Sequence, residues 1–151
     1  MSKQVLDVKQ MQRLEKLGVD TSKANFYWHR TKSLNNYEEW DEWELHYGVL
    51  KLARGFTTIN CVYVRTFTLQ DILDLLPICI IHEGENYELC IQRMYFNGGK
   101  IMHAVYYRLQ YNVHWYVMQS YEELIDSAYE MLCWCIENGY KQTDYDKNLL
   151  L

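Results

Sequence analysis

No apolar run in this chain approaches the roughly 20 residues that a helix needs to cross a bilayer. The longest, such as Leu75–Ile81, stop far short. The opening Met1-Ser2-Lys3-Gln4 has no apolar signal region. A cytoplasmic protein with no membrane partner is therefore expected. Cysteines at CxxC spacing are missing, and their count of five is odd. Buried free thiols are expected rather than a disulfide framework. Positive charge is also short, since 15 Lys and Arg against 20 Asp and Glu leave a net charge of −5. Phosphate backbones are held by neutralising lysines and arginines, so long nucleic acid is not an expected partner.

Reaction signatures are missing too. There is no GxSxG, Walker A loop, HExxH or GxGxxG. Each absence removes the usual mark of one reaction class, so no catalytic residue is assigned. Of His29, His46, His82, His103 and His114, none has another histidine at helical or tight-turn ligand spacing. Cys79-x-x-His82, with Glu83 beside it, offers too few ligands for a zinc ion that wants four, or three and an open position. Neither a metal nor a cofactor is expected. Asn97-Gly98-Gly99-Lys100 has the glycines of a phosphate-cradling loop, but a strand follows it where such loops need a helix N-terminus.

Aromatic residues with a polar handle are abundant. Fourteen Tyr and five Trp stand beside only four Phe. Such side chains suit half-wet binding surfaces and interfaces, and they also suit strands. With 151 residues, 49% of them hydrophobic, the chain is expected to fold as a single domain over 1–151, with a flexible tail from about 141.

Periodicity predicts a helix over Leu6–Leu17, stopped by Gly18, and a strand over Ala24–Arg30. Tyr37–Gly48 satisfies both periods; a strand near Trp43–Tyr47 is favoured. A strand over Thr57–Val64 leads to a short amphipathic helix, capped by Thr68 and ended by Pro77. Tyr87–Phe96 and Lys100–Gln110 form a hairpin, Val113–Met118 a third strand, and Glu122–Asn138 the last helix, with Ser120 and Glu123 at capping-box spacing. On that helix Cys133 and Cys135 point about 160° apart and cannot share a metal. Cys135 is expected in the core, with Cys133 and Trp134 at its borders. The order predicts an α+β fold: a mostly antiparallel sheet carrying an N-terminal, a short middle and a long C-terminal helix.

A two-residue turn in the hairpin would put Arg93, Tyr95, Tyr106 and Arg108 on one face, since side chains alternate. Arginine offers a planar fork to phosphate or carboxylate, and tyrosine stacks on flat rings. These four are the candidate ligand-binding residues. The bland alternative is that they pack beneath helices or against a second subunit. Glu38–Glu44, rich in tryptophan and carboxylates, could engage a cation or a basic partner. An edge strand guarded by charge is the reading favoured there.

Three blocks, "MSKQVLDVKQMQRLEKLGVDTSKA" (Met1–Ala24), "FTLQDILDLLP" (Phe67–Pro77) and "LIDSAYEMLCWCIENGY" (Leu124–Tyr140), resemble a family of short proteins encoded by gut anaerobic bacteria and their prophages. That resemblance implies no established activity and transfers no site. It implies a bacterial host cell and a phage or mobile-element setting. The expected function is a non-enzymatic, homo-oligomeric binding protein that sequesters a small nucleotide-like signalling molecule to counter host defence. The alternatives are an adaptor or inhibitor of a host protein, and a small enzyme with an unrecognised site.

Overall fold

The structure, a computed structural model, describes residues 1–32, 39–48, 61–110, 112 and 114–141. The expected tail beyond 141, the loop at 33–36 and the start of the strand placed at Thr57 lie outside the described residues. Among the described residues, three helices and two antiparallel sheets make an α+β fold. Where the sequence suggests one sheet, the strands form two, and the chain divides into two compact units. One is Val5–Thr68; the other is Met1–Gln4 with Leu69–Leu151. No helix among the described residues is long and apolar enough to cross a membrane.

In the unit Val5–Thr68, helix α1 (Val8–Lys16) starts two residues later than its apolar spacing suggests. Asp7 is the reason. Its carboxylate accepts the Gln10 amide at 2.9 Å, and the Gln10 side chain accepts the Asp7 amide at 3.0 Å. This reciprocal box satisfies two donors that helix geometry leaves without partners. Gly18, at φ +85°, ends the helix. Its amide reaches the Glu15 carbonyl and the Val19 amide reaches the Leu14 carbonyl, each at 3.0 Å. That pair of bonds needs a left-handed residue, which glycine adopts without strain. Strands β1 (Phe26–Thr31), β2 (Glu44–Tyr47) and β3 (Cys61–Thr66) form a sheet in the order β2-β1-β3. Both faces of β1 are half-buried.

In the other unit, α2 (Leu69–Leu75) buries Ile72 and is followed by β4 (Cys79–His82), β5 (Glu85–Phe96), β6 (Lys100–Leu109) and β7 (Trp115–Tyr121). The sheet order is β4-β5-β6-β7. Helix α3 (Leu124–Glu137) packs on β6 and β7 and buries Ile125, Ala128, Met131, Leu132, Cys133 and Cys135. Cys133 is thus core, not border. Burial pushes the Cys135 thiol up to about 11, so it stays protonated and unreactive at neutral pH. Strand β4 escaped the sequence reading, being four residues between Pro77 and the tight turn Glu83-Gly84. Both turn residues have positive φ, +50° and +80°.

The expected cap at Ser120 is corrected. Ser120 lies inside β7, paired with Ala104, and the N-cap of α3 is Glu123, which makes no side-chain cap bond. Ser127 ties the helix down instead. Its buried hydroxyl accepts the Tyr121 amide at 2.9 Å and donates to the His103 carbonyl. Removing a buried hydroxyl that serves two backbone groups takes one hydrogen bond from each. Ser127→Ala is therefore expected to cost about 2 kcal/mol, measured by urea unfolding. A cost near zero would mean the bonds are replaced on mutation.

Candidate functional site

The four residues singled out in the hairpin are not brought together. Phe96 pairs with Lys100, so the loop has three residues, Asn97-Gly98-Gly99, with both glycines at positive φ. A loop one residue longer shifts the register by one and exchanges the faces. Arg93 and Tyr95 therefore lie opposite His103 and Ile101, while Tyr106 and Arg108 lie opposite Cys90 and Glu88 on the other face. There the Tyr106 hydroxyl donates to Gln92 at 3.1 Å, and Arg108 reaches Glu88 at 3.4 Å. Tyr95 is strongly exposed.

The aromatic residues gather elsewhere, in one cluster of the larger unit and on the smaller sheet. The register of β6 against β7 slips between Tyr107 and Arg108, leaving Tyr116 as an extra residue. A bulge re-aims its side chain. Tyr116 stacks on His82 with centroids 4.1 Å apart and meets Tyr87 and Trp134 at 5.3 and 5.7 Å. Gly139 ends α3 in the same manner as Gly18 ends α1, with the Tyr140 amide on the Cys135 carbonyl at 2.8 Å. Tyr140 is thereby turned onto Trp134, and its hydroxyl lies 3.1 Å from the His82 ring. The rings of this cluster occupy one another's faces, which makes it packing.

The sheet β2-β1-β3 has two unlike faces. On one, Trp28 and Arg30 project from β1. Arg30 places its guanidinium 4.4 Å from the Trp43 ring centre and 4.9 Å from that of Trp40. The tryptophans of the acidic stretch thus engage a cation of their own chain. Beside them lies a cleft of about 410 Å³, lined by Asp7, Val8, Lys9, Trp28 and Trp43 and mostly apolar. Trp28 is fixed by its indole N–H, which donates to the Leu6 carbonyl at 2.8 Å.

The opposite face carries Tyr27 and His29 from β1, Glu44 and His46 from β2, and Tyr63 and Arg65 from β3. Two imidazoles and one carboxylate converge here, the ligand atoms of His29, Glu44 and His46 all lying within 4.8 Å of one another. Sequence spacing along one element could not find this group, because His29 and His46 meet across a strand pair. The signal available was Tyr27-x-His29 and Glu44-x-His46, two alternating segments on strands whose pairing was unknown. Arg65 turns away to donate to the Ala24 carbonyl at 2.9 Å.

Neither the protein-family models nor the curated proteins and solved structures contain a match to this chain.

Proposed function

We propose that the chain is a non-enzymatic binding protein whose ligand is a small planar molecule of nucleotide type, held in the cleft between Trp28 and Trp43. The cleft itself carries this reading. Its volume of about 410 Å³ falls in the range of small-molecule sites, roughly 300–1,000 Å³, which are mostly apolar with a few polar groups for orientation. Indole faces stack on any base. Lys9 supplies a positive charge, and the Val8 and Lys9 amides at the start of α1 have no intrahelical acceptors. The Asp7 carboxylate is committed to the Gln10 amide, which favours binding over acid–base chemistry at this place. Sequestration of a small nucleotide signal against host defence is the role proposed with it. The cleft supports the ligand half of that role.

Tryptophan fluorescence of the full chain, titrated with nucleoside monophosphates and cyclic dinucleotides, tests the reading. Saturable quenching is expected with at least one of them. Trp43→Ala should weaken that ligand by tenfold or more, since a base–aromatic stack is worth about 1–3 kcal/mol. The reading falls if no nucleotide saturates the signal, or if a folded Trp43→Ala chain binds as tightly as the parent.

A further inference from the structure

We propose that His29, Glu44 and His46 form a binding site for one borderline divalent transition ion of the Zn²⁺, Ni²⁺ or Cu²⁺ kind. The site lies on the face of the β2-β1-β3 sheet opposite the tryptophan cleft and is independent of it.

Register builds the site. His29 pairs directly with Glu44, and Tyr27 pairs with His46. Directly opposed side chains stand about 5 Å apart at Cβ, and diagonal neighbours remain within reach of long side chains. His29, Glu44 and His46 are therefore the corners of one cross-strand patch, not a chance meeting of loops. Because all three ligand atoms lie within 4.8 Å of one another, some point lies within about 2.8 Å of every one of them. Zinc bonds to nitrogen and carboxylate oxygen are about 2.0–2.2 Å, so each atom need move inward by less than about 1 Å. The side chains of Glu44 and His46 are 75% and 43% exposed, which leaves them room for that rotation.

The imidazoles are held close to the required pose before any ion arrives. His29 stacks on Tyr63 at 4.8 Å with 24° between planes, and His46 stacks on Tyr27 at 5.5 Å with 13°. The two imidazoles meet edge to face at 5.5 Å. A tyrosine ring against each imidazole limits its rotation about χ2 and lowers the ordering cost of ligation. Glu44 already stands 3.5 Å from the His46 Nε2, and its charge offsets part of the ion's.

The donor set decides the ion. Two nitrogens and one carboxylate suit zinc, nickel and copper, whereas magnesium and calcium take oxygen ligands. Three protein ligands leave a fourth position open to water or to an exogenous donor. A bound ion would also clamp β2, the edge strand, onto β1.

The full chain is titrated with Zn²⁺ by calorimetry and with Co²⁺ by visible absorption. One ion per chain is expected, with no Mg²⁺ response. The Co²⁺ spectrum should show ligand-field bands without a thiolate charge-transfer band. His46→Ala should raise the dissociation constant roughly 100-fold, and Glu44→Gln about tenfold. Far-ultraviolet circular dichroism checks that each variant is folded. Should the His46 variant misfold, Co²⁺-induced paramagnetic shifts of the His29 and His46 ring protons in the parent chain supply the same information. The proposal is overturned by absence of binding at millimolar Zn²⁺, by a thiolate band, by unshifted His29 and His46 resonances, or by unchanged affinity in a folded His46→Ala chain.

Discussion

Tyr107→Ala should remove roughly 4–6 kcal/mol of stability, against about 2 kcal/mol for Tyr107→Phe. Tyr107 is fully buried near the C-terminal end of β6. Its hydroxyl donates to the Pro77 carbonyl at 2.7 Å, and the Cys135 thiol approaches the same oxygen at 3.8 Å. One side chain thus joins the strand, the segment after α2 and the inner face of α3. Truncation to alanine forfeits the transfer energy of a whole ring and opens a cavity that rigid neighbours close only in part. It also strips the Pro77 carbonyl of its donor. The phenylalanine variant keeps the ring and isolates that last loss. Since domains are typically stable by only 5–15 kcal/mol, the alanine variant should be close to unfolded at room temperature. Urea midpoints for both variants decide the matter. An alanine cost below about 2 kcal/mol would show that the ring is not central to this core.

The helices were legible because their information is local. Gly18 and Gly139 end α1 and α3 where the apolar stripes end. Cys135, read as core from its place on the stripe of α3, is fully buried. The hairpin of β5 and β6 was legible as a pair, but the register of strands was not, since it depends on loop geometry that residue type only partly sets. Asn97-Gly98-Gly99 permits turns of two or three residues, and that single-residue choice sends Arg93 and Tyr106 to opposite faces. The same limit hid the histidine patch. His29 and His46 are 17 positions apart in the sequence, and only the register of β1 against β2 makes them neighbours. Ser120 shows the converse failure: a local capping pattern was overridden because β7 continues through it. For the acidic tryptophan stretch the sequence favours an edge strand guarded by charge and leaves the partner of its tryptophans open; their cation, Arg30, sits on the adjoining strand.

The double change Thr66→Val with Trp28→Phe should cost roughly 4–5 kcal/mol, more than its two parts together. The reason is one carbonyl. The Leu6 oxygen accepts the buried Thr66 hydroxyl at 2.7 Å and the Trp28 indole N–H at 2.8 Å, while the Leu6 amide donates to the Phe67 carbonyl at 3.0 Å. Leu6 is itself fully buried, so no water stands ready to replace a lost donor. A carbonyl oxygen has two lone pairs, and both are in use. Thr66→Val removes one donor at nearly constant volume and leaves the other, for about 1 kcal/mol. Trp28→Phe removes the second donor and part of a ring, for about 1–2 kcal/mol. Only together do they leave a buried carbonyl with no partner, a penalty of about 1–3 kcal/mol that neither single variant incurs. Unfolding free energies of the parent, both singles and the double close the cycle. Additivity within about 0.5 kcal/mol would mean that relaxation supplies another donor. The carbonyl directly precedes Asp7, the first residue of the candidate cleft, and one of its two donors is a wall of that cleft. Stability and ligand affinity should therefore fall together in the Trp28 variant. Thr66→Val, whose hydroxyl lies outside the cleft, should lower stability alone.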